Sequence, residues 1–204
     1  LTQLSSYFYL YSNLLTGSLS SQLGRLSSLT ANVRLDINSL TGSIPSQLGL
    51  LTLISDNFQF DSNMLSGSIA SELGQLTLLG TNIRFNSNQF TGILPSQLGQ
   101  WTIVSTFHFH SNSLSGQLPS QLGRLSLISE LFVLYSNRFI GFIPSQFGAL
   151  TGLTYAMNFY RNSFSGSMPS QLGQLINLSS EFLFYSNQFS GSLPSQFGKL
   201  TLMT

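Results

Sequence analysis

The chain has 204 residues and a mass of 22.3 kDa, which suits one domain or one short solenoid. Only 6% of the residues are charged and the net charge is +1, so the sequence lacks the clustered Lys and Arg of a nucleic-acid-binding protein. The absence of Cys excludes disulfides, thiolate metal sites and cysteine nucleophiles, and no apolar run is long enough to span a membrane. Because the chain does not begin with Met, we expect a processed form or a fragment.

The sequence is built from a repeat of 25 residues, shortened by one residue in the fifth copy. Two glycine columns hold sixteen of the 18 glycines, and all six prolines share a third column. The repeats cover 1–25, 26–50, 51–75, 76–100, 101–124, 125–149, 150–174 and 175–199, and a ninth begins at 200–204. This self-similarity predicts a single solenoid over 1–204 with no independent second domain.

Each repeat has the same local pattern, which the first two copies illustrate. Phe8 and Leu10 are two residues apart, so the chain should be extended there, and the eight such segments should pair in parallel. Gly17 and its equivalents suit a positive φ or a tight corner. The proline column suits an extended segment, and Ser-Gln-Leu-Gly, as in 46–49, can form one short helical turn ended by its glycine.

Two kinds of column should form the interior. Seven positions are apolar in all eight repeats, and in the first they are Leu1, Leu4, Phe8, Leu10, Leu15, Leu19 and Leu23. One coil is too thin to bury them, so these columns should stack on neighbouring coils. An asparagine column is also unbroken, and asparagine satisfies the backbone groups of turns, which favours a structural ladder over a ligand site. The predicted ladder is Asn13, Asn38, Asn63, Asn88, Asn112, Asn137, Asn162 and Asn187.

The repeat L-x-x-L…F-x-L-x-S-N-x-L-T-G-S-I-P-S-Q-L-G resembles the plant-specific class of leucine-rich repeat (LRR), over the whole chain. The resemblance implies a β-solenoid arc with a parallel sheet of one short strand per repeat on its concave side. It also implies a second short sheet on one flank, from the T/S-G-x-I/L-P stretch, and short helical or 3-10 turns and extended segments on the convex side. That class includes receptor-kinase ectodomains, polygalacturonase-inhibiting proteins and an ice-binding relative, which implies an extracellular or cell-surface location.

The chain departs from that class in three respects. Most repeats here have one more residue before the strand, as in Ser5, Ser6 and Tyr7, which predicts a bulge and an altered sheet curvature. The fifth repeat, with Ser105 and Thr106 at this place, keeps the class length. The Cys-stapled caps that are usual in the class are missing, and the chain carries less charge.

Two columns of strand residues should face solvent on the concave side, and ligand specificity should lie there because these positions are freed from packing on a rigid scaffold. The tyrosines among them could stack on sugar rings or on a protein partner, or could pair across strands and only stabilise the sheet. The columns also hold Val133 and Leu183. The candidate ligand-binding residues are Tyr9, Tyr11, Arg34, Asp36, Gln59, Asp61, Arg84, Asn86, His108, His110, Tyr135, Asn158, Tyr160 and Tyr185.

The same positions hold the carboxylates and imidazoles that catalysis or metal binding would use. Asp36 and Asp61 should lie about 5 Å apart, close to the carboxylate separation of a retaining glycosidase, but two arginines flank them, which favours a charge-compensated cluster. His108 and His110 share a face without a suitable third ligand. The sequence also lacks a phosphate loop, a nucleophile elbow and a triad. We therefore predict no catalysis, no metal and no cofactor.

Three functions are consistent with the sequence. The favoured one is a structural, self-assembling scaffold, in which copies of the chain or adjacent repeats of a longer array meet end to end and form a filament, because the apolar end coils lack caps and the charge is low. The alternative is a module that recognises a protein or a carbohydrate. The third is ice binding by rows such as Thr16, Ser18, Thr41 and Ser43, which Ile93 interrupts.

Overall fold

A computed structural model describes residues 4–203 of the chain. Each repeat makes one coil with a short strand on the concave side, a second short strand on one flank and a five-residue 3-10 helix on the convex side. Like segments of successive coils lie side by side, so the molecule is the predicted LRR solenoid arc with two parallel eight-stranded sheets. Leu1, a predicted core position, and Thr204 lie outside the described residues.

The concave sheet contains one strand per repeat, and its strand order follows the chain. Core residues pair with core residues, as Phe58 pairs with Ile83. Hydrogen bonds between coils continue past the strands, as from Leu10 N–H to the Arg34 oxygen at 2.9 Å, so the ladder includes the predicted segment 8–10. The strands are Phe8–Tyr9, Val33–Arg34, Phe58–Gln59, Ile83–Arg84, Thr106–His108, Leu131–Val133, Ala156–Asn158 and Glu181–Leu183.

The extra residue before the strand is accommodated in two ways. In repeats two to four it is an asparagine with a positive φ, at Asn32 (60°), Asn57 (37°) and Asn82 (47°), a conformation that Asn tolerates better than most residues. In the sixth repeat the N–H groups of two successive residues, Ser129 and Glu130, both donate to the Ser105 oxygen of the fifth repeat, at 3.2 and 3.1 Å, and Leu131 then pairs with Thr106. The irregularity is therefore a left-handed asparagine in repeats two to four and, between the fifth and sixth repeats, two successive N–H groups that share one carbonyl, as in a bulge.

These three left-handed asparagines form a second ladder that the sequence analysis did not identify. The Asn57 side-chain amide donates to the Asn32 side-chain oxygen, and the Asn82 amide donates to the Asn57 oxygen at 2.9 Å. Gln59 donates to the same Asn57 oxygen at 3.2 Å. The ladder joins repeats two to four along one edge of the concave sheet.

The flanking sheet lies slightly earlier in each repeat than predicted. In repeats two to seven its strands begin two residues before the pair that ends in the column glycine, and they stop short of the proline column. The glycine has a positive φ of 73–85°, and a proline has no N–H to donate. The strands are Thr16–Ser18, Ser39–Gly42, Met64–Ser68, Gln89–Gly92, Ser113–Gly116, Arg138–Gly141, Ser163–Gly166 and Gln188–Phe189.

The predicted convex turns are 3-10 helices, but their glycine has a different role from the one expected. A glycine that ends a helix usually has a left-handed φ, whereas the glycines of this column do not. A Cβ at Gly99 would instead clash with the backbone carbonyl of Gln121 in the next coil. The glycine therefore permits close stacking of the turns, which are Ser21–Arg25, Ser46–Leu50, Ser71–Gln75, Ser96–Gln100, Ser120–Arg124, Ser145–Ala149, Ser170–Gln174 and Ser195–Lys199.

The core lies between the two sheets and the turns, and it is rich in aromatic contacts between coils. Phe85 stacks on Phe109 of the next coil with ring centroids 4.8 Å apart, and on Phe60 of the preceding coil at 5.6 Å. Trp101 replaces leucine in its column, and its indole N–H donates to the Leu73 oxygen at 2.9 Å. The apolar columns thus form one continuous stack along the solenoid.

The unbroken asparagine column joins each coil to the one before it. The Asn63 side-chain N–H group donates to the Leu35 oxygen of the preceding coil at 3.0 Å and to the Phe60 and Asp61 oxygens of its own coil at 3.2 Å. Its side-chain oxygen accepts from the Leu40 N–H at 3.0 Å. The same set of bonds recurs at Asn88 and, beyond it, to the end of the column.

Replacing Asn88 with Ala should lower the free energy of unfolding by about 1–3 kcal/mol, because backbone groups of two coils lose their partner. Gln89, its exposed neighbour, makes no comparable contact among the described residues, and Gln89→Ala should change stability by less than about 0.5 kcal/mol. Urea unfolding of the two variants measures the difference. Equal stabilities would contradict a structural role for the column.

Candidate functional site

The two columns of candidate residues lie together on the concave face. Four of their members are buried between neighbouring strands, at Asp36 (2% exposed), Gln59, Val133 and Asn158 (6% exposed). The tyrosines at the two ends of the arc, Tyr9, Tyr11 and Tyr185, are exposed. The others are half-buried and comprise Arg34, Asp61, Arg84, Asn86, His108, His110, Tyr135, Tyr160 and Leu183. The concave face is therefore a crowded, largely polar surface.

An ion pair occupies its N-terminal part. The Arg34 guanidinium donates from Nε to Asp36 Oδ1 at 3.1 Å and from Nη2 to Asp36 Oδ2 at 2.9 Å, and this bidentate bond raises the pKa of Arg34. The guanidinium also lies 3.8 Å from the centre of the Tyr11 ring. Asp36 is thus fully engaged, and it offers no free carboxylate for a glycosidase pair.

Asp61, in the next coil, is in a different state. Burial and the neighbouring Asp36 raise its pKa, and Arg84 opposes this rise without reaching salt-bridge distance in the part of the chain that the structure describes. Ser62 donates to Asp61 Oδ2 at 3.3 Å, whereas Oδ1 is buried without a partner among residues 4–203. The two carboxylates therefore differ in environment, and only Asp36 is directly compensated by an arginine.

The two histidines are neutral at physiological pH. Burial, and after it the charge of Arg84, lowers the pKa of His108 to about 3 and that of His110 to about 4. Their rings are 6.0 Å apart. Among residues 4–203 no group of three or more His, Cys, Asp or Glu side chains is placed to hold a metal ion.

The neutral histidines make stability depend on pH. Their folded pKa values lie below the unfolded value of 6.5, so the unfolded state binds protons first and stability should fall as the pH drops from 6.5 towards 4 and then 3. We expect a loss of about 2 kcal/mol from the pair at pH 5, allowing for solvent screening. The double variant His108→Gln, His110→Asn replaces each histidine with an uncharged residue that another repeat has at the same position, as at Gln59 and Asn86. It should lose less stability than the wild type between pH 7 and pH 5 in urea unfolding, and an equal loss would contradict the prediction.

The tyrosines of the C-terminal part stack on one another. Ring centroids are 4.3 Å apart for His110 and Tyr135, 4.4 Å for Tyr135 and Tyr160, and 4.5 Å for Tyr160 and Tyr185, with interplanar angles of 16° or less. Burial raises the pKa of the Tyr160 hydroxyl to about 12. Because each inner ring is covered on both faces, Tyr185, which is 53% exposed, is the one tyrosine of this stack whose ring is open to a sugar.

Buried polar atoms without a partner among residues 4–203 concentrate on this face. They are Asp61 Oδ1, Arg84 Nε, Asn86 Oδ1, Thr106 Oγ1, His108 Nε2 and Asn158 Oδ1. Buried polar groups are ordinarily hydrogen-bonded, and an unsatisfied one costs about 1–3 kcal/mol. These donors and acceptors lie in the third, fourth, fifth and seventh repeats.

A pocket of about 340 Å³ lies in the C-terminal half of the face, and we call it the concave pocket. Its lining residues are His108, His110, Leu131, Val133, Tyr135, Asn158, Tyr160, Glu181 and Leu183. Glu181 was not among the candidates from the sequence, because it precedes the core residue Phe182 and lies outside the two columns assigned to the predicted strand. The lengthened strand Glu181–Leu183 brings it to the pocket.

The flank that carries the Ser and Thr rows has protruding apolar side chains. Ile93, Ile140 and Phe142 are 60%, 50% and 66% exposed, and the Phe142 ring lies against Gly166 of the next coil. These residues interrupt the flat surface that ice binding would need. No helix among residues 4–203 has the length and apolar character of a membrane span.

No family model and no curated protein matches the sequence. Among solved structures, the chain is similar to the LRR ectodomain of the plant membrane receptor kinase GASSHO1/SCHENGEN3 from Arabidopsis thaliana, in complex with CASPARIAN STRIP INTEGRITY FACTOR 2. The identity is 34% and the TM-score 0.88, over 96% of this chain and 23% of that one. It is also similar to the LRR ectodomain of the Arabidopsis receptor kinase HAESA in complex with an extended IDA peptide hormone, with 31% identity and a TM-score of 0.84, over 96% and 32% of the two chains.

A plant ice-binding protein has a TM-score of 0.74 at 24% identity, over 93% of this chain and 67% of that one, and this likeness extends to the fold alone. The chain spans 23% and 32% of the two receptor chains. The two sheets, the 3-10 turn of every repeat and these structural neighbours agree with the repeat motif. The chain is a leucine-rich-repeat protein of the plant-specific type, in a variant with 25-residue repeats.

Proposed function

We propose that the chain is a non-catalytic, extracellular recognition module whose concave face binds an extended segment of a peptide or protein. The observation that carries this proposal is the row of buried polar atoms without partners on that face. Arg84 Nε is a donor, whereas Asp61 Oδ1 and Asn86 Oδ1 are acceptors, so the face needs a ligand that offers both kinds of group. A polypeptide backbone offers an N–H and a C=O in nearly every residue.

The spread of these atoms sets the length of the ligand. They lie on the third, fourth, fifth and seventh coils, from Asp61 to Asn158, and coils about 4.8 Å apart give a span of about 19 Å. An extended peptide covers this distance with about six residues at 3.3 Å each. The two Arabidopsis neighbours, whose ectodomains are in complex with a peptide hormone and with CASPARIAN STRIP INTEGRITY FACTOR 2, support recognition of a polypeptide.

A glycan fits this face less well. Carbohydrate recognition commonly uses the open face of an aromatic ring, and here the faces of Tyr135 and Tyr160 are covered by their neighbours in the stack. The stack therefore stabilises the sheet, and the polar row beside it is the better candidate for ligand contact.

A matched pair of arginine variants tests the proposal. Random peptides displayed on phage are selected on the wild-type protein, and the affinities of the selected peptides are then measured by calorimetry. Arg84→Gln changes the concave face, and Arg138→Gln changes the exposed flank. Each introduces a residue that another repeat already has at the equivalent position, Gln59 for Arg84 and Gln89 for Arg138. We expect Arg84→Gln to weaken binding by about tenfold or more, because a buried charged donor is lost, and Arg138→Gln to leave it nearly unchanged. No selected peptide, or equal effects of the two variants, would contradict a concave recognition face.

End-to-end association is a second candidate, and the last coil carries it. Phe182 and Phe184 are only half-buried there, whereas their equivalents Phe107 and Phe109 in a central coil are fully buried. Leu193, in the same end coil, is 76% exposed. Such an end can accept a further coil, from a longer array or from a second copy of the chain, and the contact need not close into a ring.

Sedimentation velocity over a range of protein concentrations tests this association. Larger species should grow with concentration, and Leu193→Lys on the end coil should suppress them. Leu127→Lys, the control, introduces the same charge at an exposed position of a central coil and should not suppress the larger species. A wild-type chain that stays monomeric at micromolar concentrations would contradict association by a second copy.

A further inference from the structure

The concave pocket has an acidic end. Glu181 is the one charged residue among the nine that line it, because His108 and His110 are neutral at physiological pH. No Lys or Arg among residues 4–203 forms a salt bridge with the Glu181 carboxylate. A half-buried carboxylate without a cation favours a positively charged ligand group.

Asn158 adds an acceptor whose orientation is fixed. Its side-chain N–H group donates to Glu181 Oε2, and since a carboxylate can only accept, the Asn158 Oδ1 atom must face away from Glu181. This oxygen is buried without a partner among residues 4–203, in a residue that is 6% exposed. The pocket thus demands a hydrogen-bond donor beside its negative charge.

The remaining walls fit an aliphatic chain that ends in a cation. Leu131, Val133 and Leu183 line the pocket. An ammonium group has three donors, and it can donate to Asn158 Oδ1 and to the Glu181 carboxylate, which lie on adjacent strands. A Lys or Arg side chain combines an apolar stem with such a head group.

We propose that the concave pocket binds a basic side chain, Lys or Arg, of the polypeptide that occupies the concave face. This inference rests on the proposed function and adds the chemical class of one ligand residue. Arg34 and Arg84, which lie on the earlier coils, do not line the pocket. The Arg161 guanidinium lies 6.0 Å from the centre of the Tyr160 ring beside the pocket, and it forms no salt bridge with Glu181 among residues 4–203.

Small amino acid probes test the pocket directly. Nα-acetyl-lysine N-methylamide is titrated into the isotope-labelled protein, and the NMR signals of the Asn158 side-chain amide and of the His108 ring are followed. We expect saturable shifts with the lysine probe and with its arginine counterpart, and none with the uncharged norleucine probe. Glu181→Gln should lower the affinity for the lysine probe by about tenfold, the loss expected when a charge-assisted hydrogen bond is removed from a part-buried site.

Glu72→Gln is the matched control, because it removes the same charge on the convex side, where the other seven repeats already carry Gln. It should leave the lysine probe unaffected. Three results would overturn the proposal. They are NMR shifts with the norleucine probe equal to those with the lysine probe, an equal loss of lysine-probe affinity in the two glutamate variants, and shifts at Asn158 when methyl glucoside replaces the lysine probe. If the selected phage peptides bind through the concave face but contain no Lys or Arg, this inference fails and the proposed function stands. If no peptide binds that face, the proposed function itself fails.

Discussion

Replacing Gly99 with Ala should destabilise the solenoid by about 3 kcal/mol, at the upper end of what overpacking a core costs. A Cβ at this position would clash with the Gln121 carbonyl of the next coil, and this neighbour is backbone rather than a flexible side chain. Relief therefore requires the two 3-10 turns to separate, which breaks the contact between coils over their whole width. Thermal or urea unfolding measures the loss.

The same glycine column supplies its own control. Gly198, in the last turn, has no atom within 4 Å of an added Cβ. Gly198→Ala should therefore change stability by less than about 0.5 kcal/mol, in the range of ordinary surface substitutions. Similar effects at Gly99 and Gly198 would show that the glycines act through backbone conformation and not through the approach of the next coil.

Replacing Phe85 with Ala should cost about 3–5 kcal/mol, the usual range for removing a buried phenylalanine. Its ring is fully buried and contacts aromatic rings of the same and both adjacent coils, with Phe109 at 4.8 Å, Phe60 at 5.6 Å and Phe90 at 6.1 Å. Because a solenoid is stabilised by contacts between neighbours, a cavity here weakens both junctions of the fourth coil.

Phe189→Ala is the comparison for Phe85→Ala. Phe189 is half-buried in the last coil and stacks on Phe164 on one side only. Its loss should cost about half as much, since less apolar surface is removed from the core. Chemical unfolding followed by circular dichroism gives both values, and equal costs would contradict a core that is continuous from coil to coil.

The fold could be predicted from the sequence because the same pattern of apolar, asparagine and glycine positions recurs in eight repeats. The apolar spacing of Phe8 and Leu10 predicts a strand, and Gly17 predicts a positive φ, which the structure has at 82°. Repetition alone could not distinguish the two uses of glycine. The clash at Gly99 depends on the carbonyl of the next coil, and this distance is a property of the stacked solenoid rather than of one repeat.

The candidate site was predictable as a surface but not as a set of contacts. Alternation along the strand places Tyr135 and Asn158 on the concave face, but it does not say that the first stacks on its neighbours or that the second is buried. Glu181 was missed because the residue before the core phenylalanine joins the strand only from the fifth repeat onwards. Asn32 and its two equivalents were missed because the left-handed conformation arises in three repeats only.

The position of a bound peptide on the protein tests recognition by the concave face most directly. A peptide selected on the wild-type chain is added to the isotope-labelled protein, and the side-chain amide signals of Asn86 and Asn158 on the concave face are compared with those of Gln171 on the convex turns and Gln188 on the flank. We predict saturable shifts of the two concave amides with the other two unchanged. Shifts confined to Gln171 or Gln188 would contradict a concave binding face.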